Sequence, residues 1–336
     1  MTDALPEGFP LVELHCHLEG TVAPDFALRL AARHGLDLSG LIDDKGRYRW
    51  RNFSEFLSAY DRMTEAILTP EDYADLTERH YRAMAEKGLV YAETFLSPDH
   101  AIRHGMSYRT MVEAVAEGAA RVEADHDIAI RFILIAVRHY GVEAAESVAR
   151  LAHEEPHPRV TGFGMGGDEN HLLPRDFARA FAIARDAGLG LTCHAGEVMG
   201  PESVRAAIED LGISRIGHGV RAIEDPSVLA LIRDRGIVLE VCPGSNIALG
   251  IYPDRRSHPL RRLIDAGIRV TLSSDDPPFF ATDIAREYEA ARTVHGLSEA
   301  EMRMISETAL EAAFCDEPTR ERSRKSLFRP GTPPRS

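Results

Sequence analysis

The sequence predicts a single (β/α)8 barrel with an extra helical insertion after its first strand. Three observations predict it. Eight short aliphatic or β-branched runs lie at residues 11–18, 90–97, 130–137, 160–167, 190–196, 215–220, 237–243 and 269–276. Amphipathic stretches separate them, so strand and helix alternate as in a parallel α/β fold. Nearly every run ends in a polar or glycine-rich cluster, and in a barrel such ends converge on the mouth that carries the active site. A doubly wound open sheet shares the alternation, but convergence from six or more strand ends favours the barrel.

Residues 174–188, 200–212 and 225–236 carry the Pro and Gly punctuation of helix starts and stops. About 70 residues separate the first two runs, against roughly 16 to 32 elsewhere, so an additional helical segment belongs there. It contains Trp50, Phe53, Phe56 and Tyr60 at helical spacing. That aromatic face is expected either to wall an apolar ligand or to pack on the barrel rim. The barrel is placed at residues 1–316, and residues 317–336, rich in Arg, Pro and Ser, are expected to form a flexible tail.

A net charge of −14 repels phosphate backbones and anionic lipid heads, which argues against nucleic acid and membrane partners. No basic and apolar leader opens the chain and no apolar run is long enough to span a bilayer, so a cytoplasmic protein is expected. Cys16, Cys193, Cys242 and Cys315 form no C-x-x-C pair, so neither disulfides nor a thiolate metal site is indicated.

His15 and His17 are two apart in a strand-like run, which puts both imidazoles on one face. Alone this is weak. His194 closes the fifth run, His218 the sixth, and Asp275 with Asp276 the eighth. Three imidazoles and a carboxylate suit Zn2+ with an open position for water, and Glu197, three residues after His194, is placed to move protons. Asp275 and Asp276 repel each other unless a cation or donor intervenes, a conflict that Asp275 as a ligand removes. Gly162, Gly164 and Gly167 match G-x-G-x-x-G, but Asp168-Glu169-Asn170 follows where a dinucleotide site needs a helix N-terminus. These glycines are expected to let a flat ligand approach the backbone. His139 follows the third run closely, whereas His34, His80, His126, His153, His157 and His295 default to solvated positions.

Residues 13–20 (E-L-H-C-H-L-E-G), 166–169 (G-G-D-E), 194–197 (H-A-G-E), 216–219 (I-G-H-G) and 273–278 (S-S-D-D-P-P) occur in an order that resembles the adenosine deaminase family of the amidohydrolase superfamily. The resemblance implies one zinc ion per chain held by His15, His17, His194 and Asp275. It implies that Glu197 protonates purine N1, that His218 orients the attacking hydroxide and that Asp275 accepts the water's proton. Gly167 N–H would contact N3 and Asp276 N7, and His17 and Glu19 are counted with them as substrate contacts.

Glu19 stands where the nucleoside branch commonly has an aspartate that contacts ribose, and Gly164 where an aspartate is frequent. Glu19 and Asp276-Pro277-Pro278-Phe279 lean towards the adenine branch; Gly167-Asp168-Glu169 leans towards the nucleoside. The expected reaction is hydrolytic deamination of adenosine and deoxyadenosine in purine salvage. The alternatives are adenine or another 6-aminopurine nucleoside such as aminodeoxyfutalosine. A phosphotriesterase-like hydrolase is disfavoured because no lysine lies in the runs, and a cytidine deaminase site because H-x-E with P-C-x-x-C is missing. A catalytically dead binding protein predicts loss of Glu197, His218 or Asp275, and all three are present.

Overall fold

Each apolar run supplies one strand: β1 (Leu11–Glu13), β2 (Leu89–Leu96), β3 (Ala129–Val137), β4 (Val160–Gly166), β5 (Gly190–Ala195), β6 (Arg215–His218), β7 (Val238–Val241) and β8 (Arg269–Leu272). The computed structural model describes residues 5–6 and 8–328. The strands pair in chain order and in parallel. Beyond the short β1 and β8 the chain closes the circle: Cys16 bridges Asp275, His17 N–H donates to Asp275 O at 3.0 Å, and Asp275 N–H donates to His15 O at 3.1 Å. The result is the nearly closed barrel that the alternation predicts. Several strands are shorter than their apolar runs, because the run ends become the loops of the mouth.

Side-chain alternation sorts the two faces. Ile130, Phe132, Leu134 and Ala136 of β3 join the large cluster that continues into the surrounding helices, while Ile133 and Ile135 join Phe95 and Phe314. Phe314 seals the floor. A Cβ at Gly162 or Gly190 would come within 2.8 or 2.1 Å of its ring. Gly162 therefore makes room for a neighbouring side chain rather than a ligand, and Gly164, whose Cβ would meet Thr192 and Phe95, does the same.

Above Phe314 the barrel interior is charged. Arg215, fully buried, reaches Glu93 Oε2 and Glu240 Oε1, each at 2.6 Å, and its guanidinium carbon lies 3.6 Å from the centroid of the Phe314 ring. Tyr91 OH donates to Glu93 at 2.7 Å, and the Thr192 hydroxyl donates to Glu240 at 3.1 Å. Such pairs persist in a low-dielectric interior only when each charge is matched.

Between β1 and β2 lie three helices, α1 (Pro24–His34), α2 (Phe53–Thr64) and α3 (Pro70–Ala85). α3 starts with a Thr69–Asp72 capping box and a proline in its first turn and packs on the helix Tyr108–Asp125, so α1 and α2 are the insertion. The aromatic face of the insertion is divided between the rim and the cavity. Tyr48 stacks on Phe279 at 4.0 Å and Trp50 meets Phe280 edge-on at 5.9 Å, whereas Phe53, Phe56, Leu57 and Tyr60 face the cavity at the mouth.

The C-terminal expectation needs correction. Residues Glu317–Leu327 form a helix capped by Asp316, whose side chain accepts from Thr319 N–H at 2.8 Å. Arg320 donates to the carbonyls of Ala313 and Cys315 at 3.0 and 3.2 Å, and Leu327 is buried with Val12, Leu14 and Tyr91. Polar anchoring replaces the apolar stripe whose absence suggested a tail; residues 329–336 lie outside the described residues. Among the described residues no helix is long and apolar enough to cross a membrane.

Replacing Arg215 by Met leaves Glu93 and Glu240 buried without their cation. We expect a loss of about 3–5 kcal/mol, read as a lower urea midpoint. An unchanged midpoint would remove this network from the stability of the barrel.

Candidate active site

The loop after β1 carries His15 and His17, His194 is the penultimate residue of β5, β6 ends with His218, and Asp275 and Asp276 follow β8. The fold brings all of them together. His15 Nε2 and His17 Nε2 lie 3.4 and 3.3 Å from Asp275 Oδ1, and His17 Nε2 lies 3.3 Å from His194 Nε2. His15, His17, His194 and Asp275 each offer one donor atom, and all four atoms lie within 4.8 Å of one another.

Neighbouring groups fix how these rings point. His15 Nδ1–H donates to Glu240 Oε2 at 2.8 Å, and His194 Nδ1–H donates to Met165 O at 3.0 Å. Both Nε2 lone pairs therefore aim inward, and His15 Nε2, fully buried, has no hydrogen-bond partner. Lone pairs and a carboxylate converging without a proton between them repel unless a cation is present. Burial opposes a charge on His15, yet Asp275 and Glu240 outweigh it and raise its pKa to about 9. The position demands a positive charge, and the nitrogen and oxygen donors fit a divalent metal.

The remaining groups divide into acids and bases. Burial, reinforced by the charges of Asp275 and Glu169, pushes Glu197 well above the usual carboxylate range. Burial, then Asp275 and Glu197, does the same to Asp276. For Asp275 burial is overcome by the neighbouring His15, His17 and His218 rings, which hold it well below that range. Burial lowers His218 to about 3, so its ring is neutral. His218 Nε2 stands 3.6 Å from Glu197 Oε2 and 3.8 Å from Asp275 Oδ2, between an acid and a base. His218 and Asp275 both adopt left-handed backbone, at φ 60° and 65°, a strain typical of functional positions.

Besides Glu240 and Arg215, three supporting groups went unrecognised in the sequence. Glu169 gathers the loop after β5, accepting from the backbone N–H groups of Gly196, Glu197, Val198 and Met199 at 2.5 to 3.2 Å and from Ser203 Oγ at 2.6 Å. It thereby fixes the backbone of Glu197. Asn246 Nδ2 donates to His218 Nδ1 at 3.3 Å. His258 accepts from Leu260 N–H at 3.2 Å and donates through Nε2 to Asn246 Oδ1 at 3.1 Å. This relay leaves the proton of neutral His218 on Nε2, facing the site.

Two expectations change. Glu19 does not line the cavity: it is fully buried, and its Oε1 accepts from Ser97 N–H at 3.1 Å. His80, expected at the surface, is buried behind the site, its Nε2 4.0 Å from Cys16 Sγ. The cavity encloses about 610 Å³ including its open mouth, with His17, Gly167, Glu197, Asp275 and Asp276 among the residues around it. His139 also borders it, and its Nδ1 accepts from Asp168 N–H at 3.3 Å. Gly167 has φ 96°, and a Cβ there would stand 2.8 Å from His139 Nδ1.

A family model described as adenosine deaminase matches residues 10–328. The chain is 50% identical over 310 residues to an adenine deaminase from Agrobacterium fabrum, covering 92% of this chain and 95% of the relative. The crystal structure of adenine deaminase from Arthrobacter aurescens matches with a TM-score of 0.89 and 27% identity, over 95% of this chain and 98% of that one. An amidohydrolase from Burkholderia ambifaria with bound zinc matches with a TM-score of 0.85 and 25% identity, over 95% of this chain and 90% of that one. The half-identical adenine deaminase overturns the expectation of adenosine as the main substrate.

Asn246→Leu keeps side-chain bulk but removes the donor to His218 Nδ1. We expect turnover to fall about 10–100-fold, the usual cost of losing such an orienting partner, with KM changing far less. Long-range 15N–1H spectra should then show His218 as a tautomer mixture. Turnover and tautomer both unchanged would exclude the relay.

Proposed function

The chain belongs to the adenosine deaminase family of hydrolases that act on C–N bonds, and we propose that it converts adenine and water to hypoxanthine and ammonia. The half-identical adenine deaminase carries this reading. The cavity supports it: aromatic and aliphatic side chains of α2 form one wall, suited to a flat ring, and polar groups meet at the inner end. Among the described residues no Lys or Arg lines it, so they offer the phosphate of a nucleotide no counter-charge there.

We take the metal to be zinc, held by His15, His17, His194 and Asp275. Bound there, zinc supplies Lewis acidity that lowers the pKa of a water to about 7. Glu197, protonated through its burial, donates to purine N1 and makes C6 more electrophilic. Asp276, also protonated, donates to N7, and Gly167 N–H donates to N3. His218 Nε2–H orients the attacking oxygen. This oxygen loses two protons as it becomes the C6 carbonyl: Asp275 Oδ2 takes one and delivers it to the departing amine, which leaves as ammonia, and the other restores Glu197. His17, beside Asp275 in the cavity wall, also borders the substrate.

With zinc-loaded enzyme, adenine should lose its ultraviolet signature with matching ammonia release, and adenosine and deoxyadenosine should react at least ~100-fold less efficiently, the scale of discrimination against a poorly fitting substrate. A preference for adenosine would overturn the reading. Glu197→Gln should cut turnover at least ~10²-fold, as expected for loss of a general acid, while metal content stays constant. Turnover near that of the unmodified enzyme would remove Glu197 from the mechanism.

A further inference from the structure

We propose that Asp61 accepts a hydrogen bond from N9–H of the purine and makes the site select the free base over 9-substituted purines; this rests on the adenine reading above. Asp61 sits in the last turn of α2, beside Tyr60, and lines the cavity. Its Oδ1 accepts from His100 Nε2–H and Tyr140 OH, each at 3.2 Å. The two donors come from separate elements, the helix Pro98–Arg103 after β2 and the turn Arg138–Tyr140 after β3, so the carboxylate is held from both sides. Its Oδ2 accepts from none of the described residues, and the side chain is 44% exposed.

The orientation of the ring places N9 at this wall. Tyr140 adjoins His139, the residue against which Gly167 packs, so Asp61 belongs to the same side of the cavity as Gly167. None of its hydrogen bonds is with His194, Glu197 or Asp275 at the inner end. With N1 at Glu197 and N3 at Gly167 N–H, the ring edge continues from N3 to N9. Apart from the 6-amino group, N9–H is the one donor that 9H-adenine offers. An ionised acceptor with an open oxygen matches it. Burial raises the pKa of Asp61, but the hydrogen bond from His100 outweighs it, so the group is an anion at neutral pH. A purine carrying carbon on N9 presents no donor and leaves Oδ2 covered without a partner, a mismatch that discriminates strongly between close analogues.

The test compares kcat/KM of the zinc-loaded enzyme with adenine and 9-methyladenine for the unmodified chain, Asp61→Ala and Asp61→Asn, each checked for an unchanged thermal midpoint. For Asp61→Ala we expect adenine to lose about 10–100-fold, as for a lost charged hydrogen bond, and the adenine to 9-methyladenine ratio to shrink by a similar factor. Asp61→Asn, which keeps a carbonyl acceptor, should fall between. If Asp61 serves only to hold His100 and Tyr140, both substrates decline together and the ratio survives, which overturns the inference while leaving the adenine reading intact. An unmodified enzyme inactive on adenine overturns both.

Discussion

The active site depends on a line of buried charges that begins at the floor of the barrel. Burial alone would push Glu240 up, but Arg215 and His15 hold it below the usual carboxylate range. An ionised Glu240 can only accept hydrogen bonds, so it compels His15 to place its proton on Nδ1 and its lone pair on Nε2. Arg215 in turn needs Glu93 and the Phe314 ring to fill the space beneath it. The orientation of a metal ligand is thus set by residues from β2, β6 and β7 and by the packing of the floor.

Closure of the barrel and geometry of the site share the same bonds. Asp275 leaves β8 in a left-handed conformation that an aspartate adopts at some cost, and its backbone hydrogen bonds with His15 and His17 hold it there. Those bonds are also the seam between the first and last strands. The backbone of Asp275 therefore cannot move away from the histidines without opening the barrel. Glu169 plays the corresponding part after β5, where four backbone N–H groups converge on one side chain.

The barrel was legible in the sequence because each strand is a local apolar run and each active-site loop is a local polar cluster. The candidate ligands were legible because histidine and aspartate at strand ends are conspicuous there. Glu240 and Arg215 were not, since their meaning comes from partners 225 and 122 residues away in the chain. Asn246 and His258 escaped for the same reason: the relay exists only once the loop after β7 folds beneath His218. The substrate was misjudged because Gly167-Asp168-Glu169 outweighed Glu19, which leaned towards adenine. In the fold Glu169 binds the backbone of the loop after β5, so its presence carries no information about a sugar.

The protonation pattern ties these parts to the chemistry of an uncharged purine. N1, N3 and N7 of adenine are lone-pair acceptors, so an enclosing site must supply donors. A carboxylate serves only if it keeps its proton. Glu197 and Asp276 keep theirs chiefly because they are buried, with the charge of Asp275 adding to the effect. A cation among His15, His17, His194 and Asp275 weakens the contribution from Asp275 but leaves the burial in place. The same low-dielectric pocket that makes the metal site hungry for positive charge thus turns two neighbouring carboxylates into acids. Asp61, half-exposed near the mouth, feels its burial too, but the hydrogen bond from His100 outweighs it and keeps the group an anion. Depth in one cavity separates carboxyl groups that donate to the ring from the one that accepts from it.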